Sequence, residues 1–137
     1  MLKLYTDAAV KASTGRAGIG FVVSGNALYE QIAIPLEGND WNNHLAEFEA
    51  IKQALNWIIE KGWNDQTVFL YSDSKTAVDA VHKEFAKQPL FQTYTEIIWA
   101  LLDQFPVCVT EWIPEKNNKG ADNLARQALR KAEKEQL

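Results

Sequence analysis

Four acidic side chains stand where the local pattern calls for something apolar or structural: Asp7, Glu47, Asp73 and Asp122. Asp7 closes the alternating run Leu2-Lys3-Leu4-Tyr5-Thr6, whose period of two is that of a half-buried strand. Asp73 follows the apolar run Val68-Phe69-Leu70-Tyr71, which predicts a strand covered on both faces with the acid at its carboxyl end, where ligands collect in open α/β sheets. At about 100° per residue, Glu47 falls inside the apolar arc of Phe48, Ile51, Ala54, Leu55, Ile58 and Ile59. It should therefore aim at the sheet, while Glu49, Lys52, Gln53, Asn56 and Glu60 take the opposite, solvent-facing side. Asp122 lies in the opening turn of a last helix marked by Ala121, Leu124, Ala125, Ala128, Leu129 and Ala132.

Each acid taken alone has a plainer explanation. Glu47 and Asp122 could serve the helix dipole, Asp7 could start a turn, and Ser72, Asp73 or Ser74 could cap the next helix. Those explanations together predict scatter, whereas the four acids sit at the ends of elements that converge on one sheet. Hard oxygen ligands without a cysteine or a spaced histidine pair suit Mg²⁺ or Mn²⁺ better than Zn²⁺. Ionised side by side they would raise one another's pKa. Two divalent cations would remove that repulsion and clamp the attacking and leaving oxygens of an in-line phosphoryl displacement.

The elements that must hold these acids read as follows. Strands are predicted over residues 2–7, 19–23 and 28–34, the last two joined through Ser24-Gly25-Asn26, whose glycine and asparagine tolerate the positive φ of a tight hairpin. A helix over 43–61 stops at Gly62; a strand at 68–71 leads to a helix over 74–85; Pro89 punctuates. A helix over 91–105, a strand over 107–113 bounded by Pro106 and Pro114, a loop and the last helix complete the chain. Three antiparallel strands come first, and right-handed crossovers then add two parallel strands, giving an α/β fold with a five-stranded mixed sheet flanked by helices.

The 137 residues, 47% hydrophobic and 23% charged, predict a single folded domain over 1–137 and exclude disorder, collagen and coiled coil. Fourteen Lys and Arg against eighteen Asp and Glu give a net charge of -4. No global basic field attracts a polyanion, so charge alone argues against nucleic acid. Apolar stretches such as 97–102 fall far short of the ~20 residues a spanning helix requires. Asp7 arrives before any signal-peptide apolar region can form, so the expectation is a cytoplasmic protein without membrane contact. Cys108 is the sole cysteine; it has no disulfide partner and reads as a small core residue.

Thr6-Asp7-Ala8, Asn43-His44-Leu45-Ala46-Glu47-Phe48, Tyr71-Ser72-Asp73-Ser74 and Ala121-Asp122-Asn123-Leu124-Ala125 resemble, in order and spacing, the four acidic motifs of type 1 ribonuclease H. The resemblance spans almost the whole chain and implies the ribonuclease H-like fold. It also implies metal-dependent endonucleolytic hydrolysis of the RNA strand of RNA·DNA hybrids, leaving 5′-phosphate and 3′-hydroxyl ends. By that resemblance Asp7, Glu47, Asp73 and Asp122 are the catalytic, metal-binding acids, with two Mg²⁺ or Mn²⁺ ions per site. Asn43 is the hybrid-contacting asparagine, His44 takes the place of a second one, and Asn118 matches the asparagine of the loop before the last acid; these three are the candidate readers of 2′-hydroxyls. The expected partner is an RNA·DNA hybrid, bound by a monomer.

Two departures from the family qualify this. The stretch Trp112 to Asp122 contains no histidine, although many members carry a mobile one there that assists proton transfer; general acid–base help is worth ~10²–10⁴-fold, so a slower enzyme is expected. His82 reads as a surface residue on a helix. The family's basic protrusion should fall near residues 84–92, where a single lysine, Lys87, is found, and Phe85 there is expected to pack in the core. Hybrid binding should then be weak and shallowly dependent on salt. The alternative function is a catalytically weak or inactive module of the same fold that binds nucleic acid or protein. An actin-like ATPase is disfavoured because Asp7-Ala8-Ala9 lacks the glycine of a phosphate hairpin.

Overall fold

The computed structural model describes residues 1–135. Its first three strands, β1 (Leu2–Lys11), β2 (Arg16–Gly25) and β3 (Leu28–Pro35), pair antiparallel in succession. β1 and β2 extend past the sequence-predicted bounds because their pairing continues to Lys11↔Arg16, beyond the apolar positions that mark the core. The β2–β3 turn centres one residue later than expected, on Asn26 and Ala27 at φ +52° and +65°. Positive φ at both central residues matches the right-handed twist of the flanking strands.

Helix α1 (Asn43–Glu60) leads to β4 (Val68–Ser72), parallel to β1. Helices α2 (Lys75–Lys83) and α3 (Pro89–Leu102) lead to β5 (Cys108–Trp112), parallel to β4, and a single 3-10 turn (Glu115–Asn117) precedes α4 (Lys119–Glu135). The sheet order is β3-β2-β1-β4-β5, the five-stranded mixed sheet expected from the sequence. Helix α2 stops earlier than predicted because Glu84 turns left-handed at φ +54°. Helix α3 starts earlier, at Pro89, whose missing N–H costs nothing at a first helical position, while the Gln88 side chain accepts from the Phe91 N–H at 2.9 Å.

One sheet face buries Leu2, Leu4, Phe21, Val23, Val68 and Leu70 against Phe48, Ile51, Leu55 and Ile58 of α1 and Ile98 of α3. Each such side chain contributes about 1.5–3 kcal/mol of burial. On the other face α4 lies directly on β2 over two glycines. A Cβ on Gly20 would come within 2.5 Å of the Ala125 nitrogen, and one on Gly18 within 2.3 Å of the Leu129 nitrogen, so only glycine lets the helix approach this closely.

Two expectations need correction. β4 is not covered on both faces: Val68, Leu70 and Ser72 are buried, but Phe69 and Tyr71 are half-exposed, since α4 packs on β1, β2 and β3 and Tyr71 instead stacks on Tyr5 at 4.9 Å between ring centres. Glu49, assigned to the solvent side of α1, is buried at 6% exposure. Helix α3 crosses that side, and Glu49 accepts from the Tyr94 hydroxyl at 2.7 Å and the Gln53 amide at 2.6 Å and pairs with Lys52 at 3.0 Å.

Candidate active site

Sheet register brings the first two acids together. Thr6 of β1 pairs with Ser72 of β4, and Ser72 with Trp112 of β5, so Asp7 and Asp73 each stand one residue beyond a shared level at the carboxyl ends of parallel strands. The Asp7 carboxylate accepts from the Ala8 N–H at 2.9 Å. The role of capping α2 falls to Ser74, whose hydroxyl accepts from the Ala77 N–H at 3.2 Å, leaving Asp73 free to face the cleft. Asn42 likewise caps α1 through the Leu45 N–H at 3.0 Å, which leaves Asn43 and His44 exposed on the cleft wall one turn before Glu47.

Carboxylate oxygens of Asp7, Glu47 and Asp73 all lie within 4.8 Å of one another. Asp7 is 6% and Glu47 9% exposed, and Glu47 Oε1 is buried without a hydrogen-bond partner among the described residues. Burial, with the Asp73 and Asp122 charges added, pushes Asp7 up to about 7. Burial and the charges of Asp7 and Asp73 push Glu47 well above the usual carboxylate range. Three hard oxygen donors, one of them orphaned, crowded enough to resist full ionisation, fit a bound divalent cation. Asp122 stands apart from the trio at the rim, in the first turn of α4, where it pairs with Arg126 at 3.2 Å.

The acids line a cleft of about 610 Å³ whose walls also include Asn43, His44, Lys75, Trp112, Glu115 and Arg126. His44 meets the ring of Phe91 edge-on at 5.7 Å. Asn118 does not stand on this wall: it is 1% exposed, and its amide donates to the Thr6 carbonyl at 2.8 Å and to Asp73 Oδ2 at 3.4 Å. In this position it braces β1 against Asp73. Phe85 is 59% exposed instead of packed in the core, because the chain turns outward at Glu84 before α3 begins. His82 is a surface residue as expected, with Nε2 beside the Thr110 carbonyl. Cys108 packs against the edge of the main core, and burial raises its thiol to about 11.

Lys75, Trp112, Glu115 and Arg126 went unread in the sequence. Arg126 carried a signal, since it stands four residues after Asp122 on one helix, the spacing of an ion pair. Trp112 carried none, because its position over the site depends on its indole N–H donating to the Asp73 carbonyl at 3.1 Å.

Comparison with known proteins agrees with this geometry. The family model described as "Reverse transcriptase-like" matches residues 5–128. EbsB of Enterococcus faecalis, provisionally named a hydrolase, is 42% identical over 131 residues, which cover 96% of each chain. Among solved structures, RNase H1 of the halophilic archaeon Halobacterium salinarum superposes with a TM-score of 0.85 at 24% identity, covering 96% of this chain and 98% of that one. LC11-RNase H1, isolated from compost by a metagenomic approach and solved with an RNA/DNA hybrid, gives 0.85 at 25% identity, covering 96% and 99%. The sheet order, the acids at its carboxyl ends and the family match over most of the chain agree: this chain belongs to the reverse transcriptase-like family, with the type 1 ribonuclease H-like fold.

Proposed function

We propose that this protein is a ribonuclease H: a divalent-metal-dependent endonuclease that hydrolyses the RNA strand of RNA·DNA hybrids to 5′-phosphate and 3′-hydroxyl ends. The observation that carries the reading is the trio Asp7, Glu47 and Asp73, drawn within 4.8 Å with a buried, unpartnered Glu47 oxygen. The solved structure of LC11-RNase H1 with a hybrid supports the substrate class.

In this reading Asp7, Glu47 and Asp73, with Asp122 at the rim, would hold two Mg²⁺ or Mn²⁺ ions, which when bound supply charge neutralisation and an activated water. Everything else is done by the chain. Asn118 fixes the Asp73 carboxylate, and Trp112 fixes the Asp73 backbone, so the acid meets its ligand without reorganising. In this reading Asn43 and His44, which line the cleft beside the acids, contact the 2′-hydroxyls. The loop from Trp112 to Asp122 offers no histidine for proton transfer, so turnover is slow. The chain acts as one domain and as a monomer.

The test is incubation of labelled hybrid with the pure protein and a series of divalent metals. Cleavage confined to the RNA strand, dependent on metal and reduced at least ~10³-fold by Asp73→Asn, is the expected result. Intact RNA at high protein concentration would overturn it. A second reading, a non-catalytic module of the same fold, is favoured by one observation: residues 84–92 carry a single lysine and expose Phe85 at 59% and Leu90 at 45%. Hybrid binding undiminished by chelator, without cleavage, would select it.

A further inference from the structure

A phosphate backbone entering this cleft meets five carboxylates, those of Asp7, Glu47, Asp73, Glu115 and Asp122, against two cationic side chains, Lys75 and Arg126. Where the cations stand is more informative than how few they are. Lys75, at the start of α2, holds its ammonium 4.9 Å over the face of the Trp112 ring, and that indole is fixed by its bond to the Asp73 carbonyl. An exposed lysine is thereby placed beside the acid trio, with no carboxylate partner among the described residues. At the other side of the cleft Arg126 leans on Asp122.

The cleft does not end there. A second groove, of about 440 Å³, shares Ala8, Asn43, Asp122 and Arg126 with it and continues along α4 to Leu129 and Arg130. Arg130 follows Arg126 by one helical turn, is exposed and has no ion-pair partner among the described residues. A rise of about 6 Å over four residues sets the two guanidinium groups along the groove in single file. Apart from Asp122, which pairs with Arg126, the rest of this groove's lining, Ala8, Ala9, Val10, Asn43 and Leu129, carries no charge.

We infer that Lys75, Arg126 and Arg130 form a track for the phosphate backbone of a nucleic-acid strand, running from α2 across the acid trio and down α4. This rests on the hydrolase reading for its substrate and goes beyond it in placing the grip on α4, away from residues 84–92. Arginine suits the role because its planar fork matches phosphate oxygens, and the pairing with Asp122 keeps Arg126 extended over the groove. Once a cation occupies the trio, the acids flanked by the track no longer repel the strand.

The test is hybrid binding by the full chain in an Asp73→Asn background, so that RNA is not cut, over a salt series with Mg²⁺ present. Lys75→Gln and Arg130→Gln should each weaken binding on the order of tenfold and reduce the slope of log affinity against log salt by about 0.9, while Lys75→Arg and Arg130→Lys restore both. The Arg130 effect should vanish on hybrids too short to reach α4 past the cut site, which a merely structural role would not produce. Unchanged slopes in both Gln variants would overturn the track even if the wild-type protein cleaves hybrid. Altered slopes in a wild-type protein that never cleaves would sustain the track and overturn the hydrolase. A wild-type protein that neither cuts nor binds hybrid would overturn both.

Discussion

At the scale of single residues, crowding and burial make the ionised acids costly to hold together. Asp7 moves from 3.8 to about 7, chiefly through burial, and Glu47 moves in the same direction for the same reason. A carboxyl group whose folded pKa is raised binds a proton that the unfolded chain has released. The metal-free protein therefore gains stability in full below about 4 and loses it as pH rises through about 7. A divalent cation held by the ionised trio would reverse that trend. Thermal denaturation in chelator from about pH 4 to pH 8 should show the melting temperature falling more steeply for the wild type than for Asp7→Asn, which has no such proton to lose. Added Mg²⁺ or Mn²⁺ should raise it most at the alkaline end; a wild-type profile parallel to that of Asp7→Asn would refute the linkage. The trio was legible in the sequence because Glu47 falls inside an apolar helical arc and Asp7 and Asp73 stand where apolar strand runs end. Asn118 was not: its burial follows from reaching across to Thr6, 112 positions earlier in the chain, a contact no local pattern encodes.

At the scale of elements, the position of Asp122 depends on how closely α4 can lie on β2. Gly18 and Gly20 face that helix, and small residues Ala121, Ala125 and Ala128 return the fit. A methyl group at position 20 would collide with the Ala125 nitrogen at 2.5 Å and the Ala121 oxygen at 2.6 Å, both backbone atoms that cannot rotate away. Gly20→Ala should therefore lift the start of α4, costing about 1–3 kcal/mol in denaturant unfolding. Because Asp122 sits on that first turn and Asp7 pairs with Gly20 across the sheet, cleavage should fall further than stability alone accounts for. The contrasting control is Gly38→Ala: its added Cβ would meet nothing within 4 Å, so any cost there comes from its φ of +89° and should leave cleavage by the folded protein unchanged. Equal losses of cleavage in the two variants would refute the argument. Two glycines at a spacing of two in a strand are a readable sign of close backbone approach. The burial of Glu49 and the exposure of Phe85 were unreadable for a common reason: both depend on where α3 begins and which side of α1 it crosses. That start is set by the left-handed turn at Glu84.

At the scale of the whole molecule, the net charge of -4 at first sets the protein against a polyanion. Setting aside the four acids of the candidate site leaves fourteen acids against fourteen cations, so the rest of the chain is neutral. The count was legible in the sequence, but its distribution was not. The fold gathers the four acids at one end of the sheet and lays Lys75, Arg126 and Arg130 along the two grooves that meet there. A chain with no net positive charge has no long-range field to steer a hybrid, so affinity must come from contacts within a Debye length, about 8 Å at physiological salt. Three cations, each releasing about 0.9 counterion, limit the slope of log affinity against log salt to about -3, and Arg126 contributes less while it remains tied to Asp122. Binding should thus survive a rise in monovalent salt that would strip a strongly basic binder, yet collapse when chelator exposes the uncompensated acids. Fluorescence anisotropy of a labelled hybrid against Asp73→Asn protein, titrated with monovalent salt at fixed Mg²⁺ and then with chelator at fixed salt, separates the two contributions. A slope much steeper than about -3 would mean that cations outside the two grooves hold the strand, and affinity indifferent to chelator would mean that the acids do not face it.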